Sequence, residues 1–242
     1  MWLRVAVVVL ATAVVLGGCA PAAPADRPVT TEEAQLLATA RFRNYDLGSR
    51  TFRASITDRG VEVDLVGWVD YPARLGYATL TTAGSTRALL WTGVTAGTAR
   101  LSVANGDLPP LPVPGAGAEW TTHPIDPTIS RLDAFLAALG ALGIDRPDNP
   151  LILQQSGALW LREDDVEGIP VTVFAAPPDE LVRDPAAPPL APDASPLHLW
   201  VDGSGLILRV DMRLGGEWES VIFEDAPGER LTLPDDLVEQ GG

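Results

Sequence analysis

Residues 61–70 read Val-Glu-Val-Asp-Leu-Val-Gly-Trp-Val-Asp, and this period of two constrains the chain more than any other feature. Val61, Val63, Leu65, Val69 and Tyr71 fall on one face of such a strand, and Glu62, Asp64, Trp68 and Asp70 on the other. One apolar and one polar row belong to an antiparallel sheet with a core on one side and solvent or a neighbour on the other. Further strands are expected at Thr51–Asp58, Leu75–Thr82, Thr86–Thr92 and Thr98–Ala104, with turns at Asp58-Arg59-Gly60, Gly84 and Gly93 to Gly97. Short strands joined by tight turns make a meander. A second series is expected at Ala158–Glu163, Ile169–Ala175, Leu197–Val201, Leu206–Leu214 and Trp218–Glu224.

Two helical patterns interrupt the strands. Thr30-Thr31-Glu32-Glu33 puts a hydroxyl cap and acidic residues where exposed N–H groups and the positive dipole end favour them. That helix is expected to run to about Asn44 and exit at Gly48, with Leu36, Leu37, Ala40 and Phe42 inward. For the second helix, Asp126 suits the N-cap and Pro127 the first position. Ile129, Leu132, Phe135, Leu136, Leu139 and Leu142 then recur at three- and four-residue spacing up to Gly143. Its other face is mostly Ala134, Ala137, Ala138 and Ala141, with only Arg131 and Asp133 charged, so this helix must be buried against something. Asn105 to Gly117 is a Pro/Gly-rich loop. Prolines 177, 178, 185, 188, 189, 192 and 196 mark a long loop across the sheet edge or mouth.

The N-terminus carries an address. Met1 to Arg4 is a short basic start, Val5 to Leu16 an apolar run, and Leu16-Gly17-Gly18-Cys19 follows. The run is shorter than the roughly 20 apolar residues of a membrane span and fits a signal peptide over residues 1–18. Leu-Gly-Gly-Cys resembles the lipobox of bacterial lipoproteins. That resemblance implies cleavage before Cys19, a diacylglyceryl thioether on its sulfur, and fatty acids such as palmitate as the anchor. Cys19 is the only cysteine, which removes disulfides, Cys-zinc sites and cysteine nucleophiles. Residues 19–29 then form a lipidated Pro/Ala tether, residues 30–225 a single β-rich domain and residues 226–242 an acidic tail that frays. The expected location is the extracytoplasmic face of the cell membrane.

Charge and chemistry narrow the function. The net charge of −15, with arginine the sole basic type besides two histidines, opposes nucleic-acid binding and polybasic contact with anionic lipid. His123 and His198 are far apart, so neither a metal nor another cofactor is expected. Asp202-Gly203-Ser204-Gly205 lies between strands and reads as a hairpin turn, not a nucleophile elbow. Glu163-Asp164-Asp165 and Asp235-Asp236 read as solvated charge runs. No catalytic constellation is found, and an enzyme is disfavoured. Among the tryptophans, Trp68 and Trp200 lie opposite the Val/Leu rows of their strands and mark a second packed surface or a cavity wall.

Glu167-Gly168-Ile169-Pro170-Val171-Thr172-Val173-Phe174 and the segment from Leu199-Trp200-Val201-Asp202 to Val210 resemble those of LppX/LprG-type bacterial lipoproteins, distantly similar to the carriers LolA and LolB. The order of lipobox, tether, helix, meander, apolar helix and closing strands is similar as well. What this implies is an α+β fold: a strongly curved antiparallel half-barrel with two to three helices packed on its concave face. It also implies a cavity between sheet and helices that binds or carries a lipid or acyl chain. The residues expected to line it are Leu132, Phe135, Leu136 and Leu139 on the helix, and Val63, Leu65, Leu199 and Leu208 on the sheet. No catalytic residue carries over. The alternative is a non-enzymatic cell-envelope interaction module with a filled core.

Overall fold

The computed structural model describes residues 26–100, 102–177 and 195–238. Cys19 and residues 1–25 lie outside them, as does most of the proline-rich loop expected at 177–196. Twelve strands form one antiparallel sheet: β1 (Arg27–Pro28), β2 (Ser49–Asp58), β3 (Val61–Asp70), β4 (Leu75–Thr82), β5 (Ser85–Trp91), β6 (Thr95–Arg100), β7 (Thr121–Pro124), β8 (Leu159–Val166), β9 (Ile169–Ala175), β10 (Leu197–Asp202), β11 (Ile207–Leu214) and β12 (Glu217–Pro227). Their spatial order is β1-β8-β9-β10-β11-β12-β2-β3-β4-β5-β6-β7, so the two meanders meet where β12 pairs with β2. The ends, β1 and β7, do not pair, and the sheet is an unclosed half-barrel of the α+β class. The α-helices among the described residues are α1 (Thr31–Leu47), α2 (Arg131–Ala141), α3 (Pro150–Gln155) and α4 (Asp235–Val238).

The alternation in β3 explains the register. Leu65 lies opposite Ala54 of β2 and Leu80 of β4, and all three turn to the face that carries α1 and α2. That inner face holds the main core. Leu37 and Ala40 of α1 and Phe135, Leu136 and Leu139 of α2 meet Phe52, Ile56, Val63, Leu65, Val69, Phe174, Leu199, Val210 and Phe223 of the sheet.

The outer face carries two smaller apolar clusters, which account for the two outlying tryptophans. Trp68 stacks on Tyr77 at 6.5 Å beneath Val113, Trp120, Leu231 and Leu237. Trp200 lies among Leu159, Val173 and Leu208 with Arg209 over its ring at 4.4 Å, and its indole N–H donates to Asp164 Oδ2 at 2.9 Å. That hydrogen bond holds the Asp164 carboxyl below the usual carboxylate range. Both tryptophans therefore belong to a second packed surface. The Asp202–Gly205 segment is the expected turn, with Asp202 Oδ1 accepting from the backbone N–H of Ser204 and Leu206.

Several boundaries differ from expectation. β6 spans Thr95–Arg100, earlier than the expected Thr98–Ala104. The short elements β1, β7, α3 and α4 carry too few residues to show a period. The helix expected from Asp126 begins at Arg131 instead, capped by Ser130, whose Oγ accepts from Asp133 N at 3.0 Å. Asp126 spends its carboxylate on a local turn, accepting from Thr128 N and Oγ1. Ile129 consequently lies outside the helix and is 64% exposed.

Both ends expected to be loose are fastened. Arg27 and Pro28 pair with Trp160 and Leu159 of β8, and Val29 is buried in the main core. Past β12, Arg230 Nε reaches the buried carboxylate of Asp70 at 2.9 Å, and Leu231 N donates to the same oxygen at 3.0 Å. Leu231, Leu233 and Leu237 of this segment pack in the cluster around Trp68, and residues 239–242 of the expected tail lie outside the described residues.

Candidate functional site

At one rim of the half-barrel a pocket of about 440 Å³ opens between the C-terminal half of α2, the end of α1 and the β3–β4 and β5–β6 turns. Val69, Tyr71, Leu75, Trp91, Leu136 and Ile144 give it an apolar lining, with Asp70, Arg74 and Asp145 as the charged residues. Two glycines shape it. Gly76 of β4 has no side chain, so the Trp91 indole lies flat against the strand; a Cβ there would stand 2.0 Å from the ring. Gly140 of α2 faces the pocket, and a Cβ there would meet nothing within 4 Å. The helix is thus cut away where it borders the opening.

Behind the pocket wall lies an unusual buried group. Arg50 of β2 is fully buried on the inner face, donating to Asn44 Oδ1 at 2.6 Å and to the Glu224 carbonyl at 2.9 Å. Its guanidinium carbon is 4.9 Å from the Phe223 ring centroid. Asn44 in turn donates to the Leu142 carbonyl at 3.0 Å, tying α1 to the end of α2. Burial lowers the Arg50 pKa below its ordinary value, and the same burial raises that of Tyr71. No surface pattern in the sequence signals Arg50, because alternation assigns an inward position to it without saying that an arginine will be held there.

The expected cavity residues divide. Val63, Leu65, Phe135, Leu136, Leu139 and Leu199 are all buried in the main core, with Leu132 packed at its margin. They pack on one another, and of the eight candidates only Leu136 borders the rim pocket. Leu132 borders a cleft at the other end of α2. Leu208 leaves the set: the β10–β11 register shifts between Trp200 and Val201, Leu208 is the extra residue, and its side chain joins the Trp200 cluster. Tyr71, Trp91 and Gly140 were not anticipated as lining residues, though the Tyr71 position at the end of the β3 apolar row pointed inward.

The cleft beside Leu132 gathers Asp58, His123, Asp126, Ser130 and Asp133. Their polar atoms serve the fold. Asp133, buried, accepts from His123 Nε2 at 3.0 Å and from Asp126 N at 3.0 Å, and Asp58 Oδ1 accepts from Arg131 N at 2.9 Å. Together they fix the start of α2 to β7 and to the β2–β3 turn. Among the described residues no group of three or more His, Cys, Asp or Glu side chains is placed to hold a metal ion. No helix among them is long and apolar enough to cross a membrane.

No family model matches the sequence, and no curated protein matches it at a significant level. Solved structures align with the chain at low identity and low TM-score. The Mycobacterium tuberculosis lipoprotein LppX aligns at 14% identity with a TM-score of 0.41, over 82% of this chain and 94% of its own. LprF from Mycobacterium bovis aligns at 14% identity with a TM-score of 0.42, over 87% and 99%. An outer membrane lipoprotein-sorting protein domain from Vibrio parahaemolyticus aligns at 13% identity with a TM-score of 0.25, over 81% and 92%.

Proposed function

We propose that this chain is a lipid-anchored lipoprotein that holds an apolar ligand, an acyl chain or a molecule of similar girth, in the rim pocket beside α2. The observation that carries the reading is a partly apolar pocket of about 440 Å³ whose helical wall is opened by Gly140. Its volume lies within the 300–1,000 Å³ usual for small-ligand sites. The inner space between α2 and the sheet is occupied by core side chains, so the ligand enters at the rim and not through the middle of the half-barrel. Anchoring through Cys19 after removal of residues 1–18 keeps the pocket near a lipid source, and stable attachment follows from two acyl chains on one residue.

The test is binding of a fluorescent fatty acid to the full chain, with native mass spectrometry of material purified gently from membranes. Gly140→Trp projects an indole into open space on a helix, so it should fold, fill the pocket and lower probe affinity at least about tenfold, ~1.4 kcal/mol. Equal binding by wild type and Gly140→Trp, or no lipid in either measurement, removes the pocket from consideration. A packed interior that binds nothing would instead favour the filled-core interaction module, which the close contact of Phe135, Leu136 and Leu139 with the sheet also permits.

A further inference from the structure

The chain leaves the fold towards Cys19 beside α3, and α3 presents an apolar surface there. Val29 N donates to the Ala158 carbonyl, just past α3, and Gln154 Nε2 of α3 donates to the Val29 carbonyl at 3.4 Å. Seven residues, Ala20 to Asp26, separate Cys19 from Arg27. At about 3 Å per residue they hold this side of the domain within roughly 25 Å of the anchor. Leu151 and Ile152 of α3 are 62% and 53% exposed, while Leu153 turns inward to the core.

The segment itself carries no charge in a strongly acidic chain. The chain carries a net charge of −15, which an anionic leaflet repels. Yet residues 149–157, Asn-Pro-Leu-Ile-Leu-Gln-Gln-Ser-Gly, hold no charged side chain. Two neighbouring acidic residues are paired: Asp148 accepts two of the three Arg41 hydrogen bonds, and Glu33 binds Arg27 at 2.6 Å. Two side chains are far too little for a protein partner, since a stable interface needs about 1,000 Å² or more. They are enough to sink a short apolar turn into the headgroup region of a bilayer already fixed by an anchor.

We infer that the Leu151–Ile152 turn of α3 is a membrane-docking element that seats the domain on the bilayer carrying the Cys19 lipid. The inference rests on the anchored reading of Cys19. Seating fixes the orientation of the domain, because one rigid contact beside the tether exit removes the freedom that a Pro/Ala tether alone would leave.

The test uses the full lipidated chain on phosphatidylethanolamine/phosphatidylglycerol vesicles. Thioether formation consumes the only native thiol, so Ile152→Cys provides a unique site for a nitroxide label; Trp218→Cys on β12 is the control. Docking predicts that the label at 152 collides several-fold less with a water-soluble nickel chelate, and more with oxygen, than the label at 218. A vesicle-bound, lipidated protein whose label at 152 is as water-accessible as that at 218 overturns docking and leaves the anchor standing. A protein that mass spectrometry shows with an unmodified Cys19 and that fails to bind vesicles overturns both. Because Ile152 is exposed, unaltered thermal melting of Ile152→Cys will separate a docking effect from misfolding.

Discussion

Gly140 and Gly143 lie three residues apart at the end of α2 and have opposite reasons to lack a side chain. A Cβ at Gly140 meets open space, whereas one at Gly143 would stand 2.3 Å from the Tyr71 ring. Gly140→Ala should therefore raise stability by about 0.5–1 kcal/mol through helix propensity alone, and Gly143→Ala should lower it by about 1–3 kcal/mol through overpacking. Urea midpoints of the two variants check both signs. Arg50 offers a sharper contrast. Arg50→Ala leaves a void and strips Asn44 of its partner, so a loss of about 3 kcal/mol or more is expected. Arg50→Met removes the buried charge while filling much of the volume, and should cost far less. Equal losses in the two variants would show that the cation itself, and not the packing, holds α1 to the sheet.

The helix starts show why some elements were legible and others not. Thr30 at the head of α1 was readable because hydroxyl and acidic residues stand at fixed spacing, and the structure completes a capping box: Glu33 N donates to Thr30 Oγ1 and Thr30 N donates to Glu33. Arg27 adds a two-armed ion pair, and this hydrogen bonding draws the Glu33 carboxyl from 4.5 down to about 2. A depressed carboxylate pKa stabilises the fold fully above about 4.5, and that contribution drains as pH falls towards 2. Glu33→Gln should cost about 1 kcal/mol near neutrality, and its difference from wild type should vanish at the acid end of that window in pH-dependent melts. At α2, by contrast, Asp126 and Ser130 are both good caps in isolation. The contest goes to Ser130 because Asp126 is engaged by Thr128 and because Asp58, far away in sequence, receives the Arg131 N–H. Edge elements such as β7 escaped for a related reason: all four residues are exposed, so there is no buried row to read.

Across the molecule, the tail is part of the fold. Asp70, at the end of β3, accepts from Ala73 N and Leu231 N and ion-pairs with Arg230, so one buried carboxylate joins the β3–β4 turn to the C-terminal segment. Asp236 accepts from Ala116 N and ties α4 to the loop before β7. Deleting residues beyond Pro227 should uncover Trp68 and Leu231's site, lower the melting temperature and red-shift tryptophan emission. A truncated chain with unchanged melting and emission would show the outer cluster to be dispensable. Asp70→Ala should reproduce part of the loss, about 3 kcal/mol, because the fold then keeps two backbone donors without their acceptor.

What the amino-acid order settled was local: a period of two that gives each strand an inner and an outer row, the turns that join the strands, and the cap at Thr30. Each of these depends on residues a few positions apart, where backbone geometry alone sets which side chains share a face. Whether the helices leave a void over the sheet, where a pocket opens, and which cap starts α2 depend on distances between residues separated by up to more than a hundred positions. Phe135, Leu136 and Leu139 were legible as inward, but only their packing on Val63 and Leu65 shows that this part of the interior is filled. Leu208 makes the point at a single residue. Its alternation placed it beside Leu199, and a one-residue bulge across from Trp200, set by how the curved sheet accommodates its own twist, sent it to the other cluster.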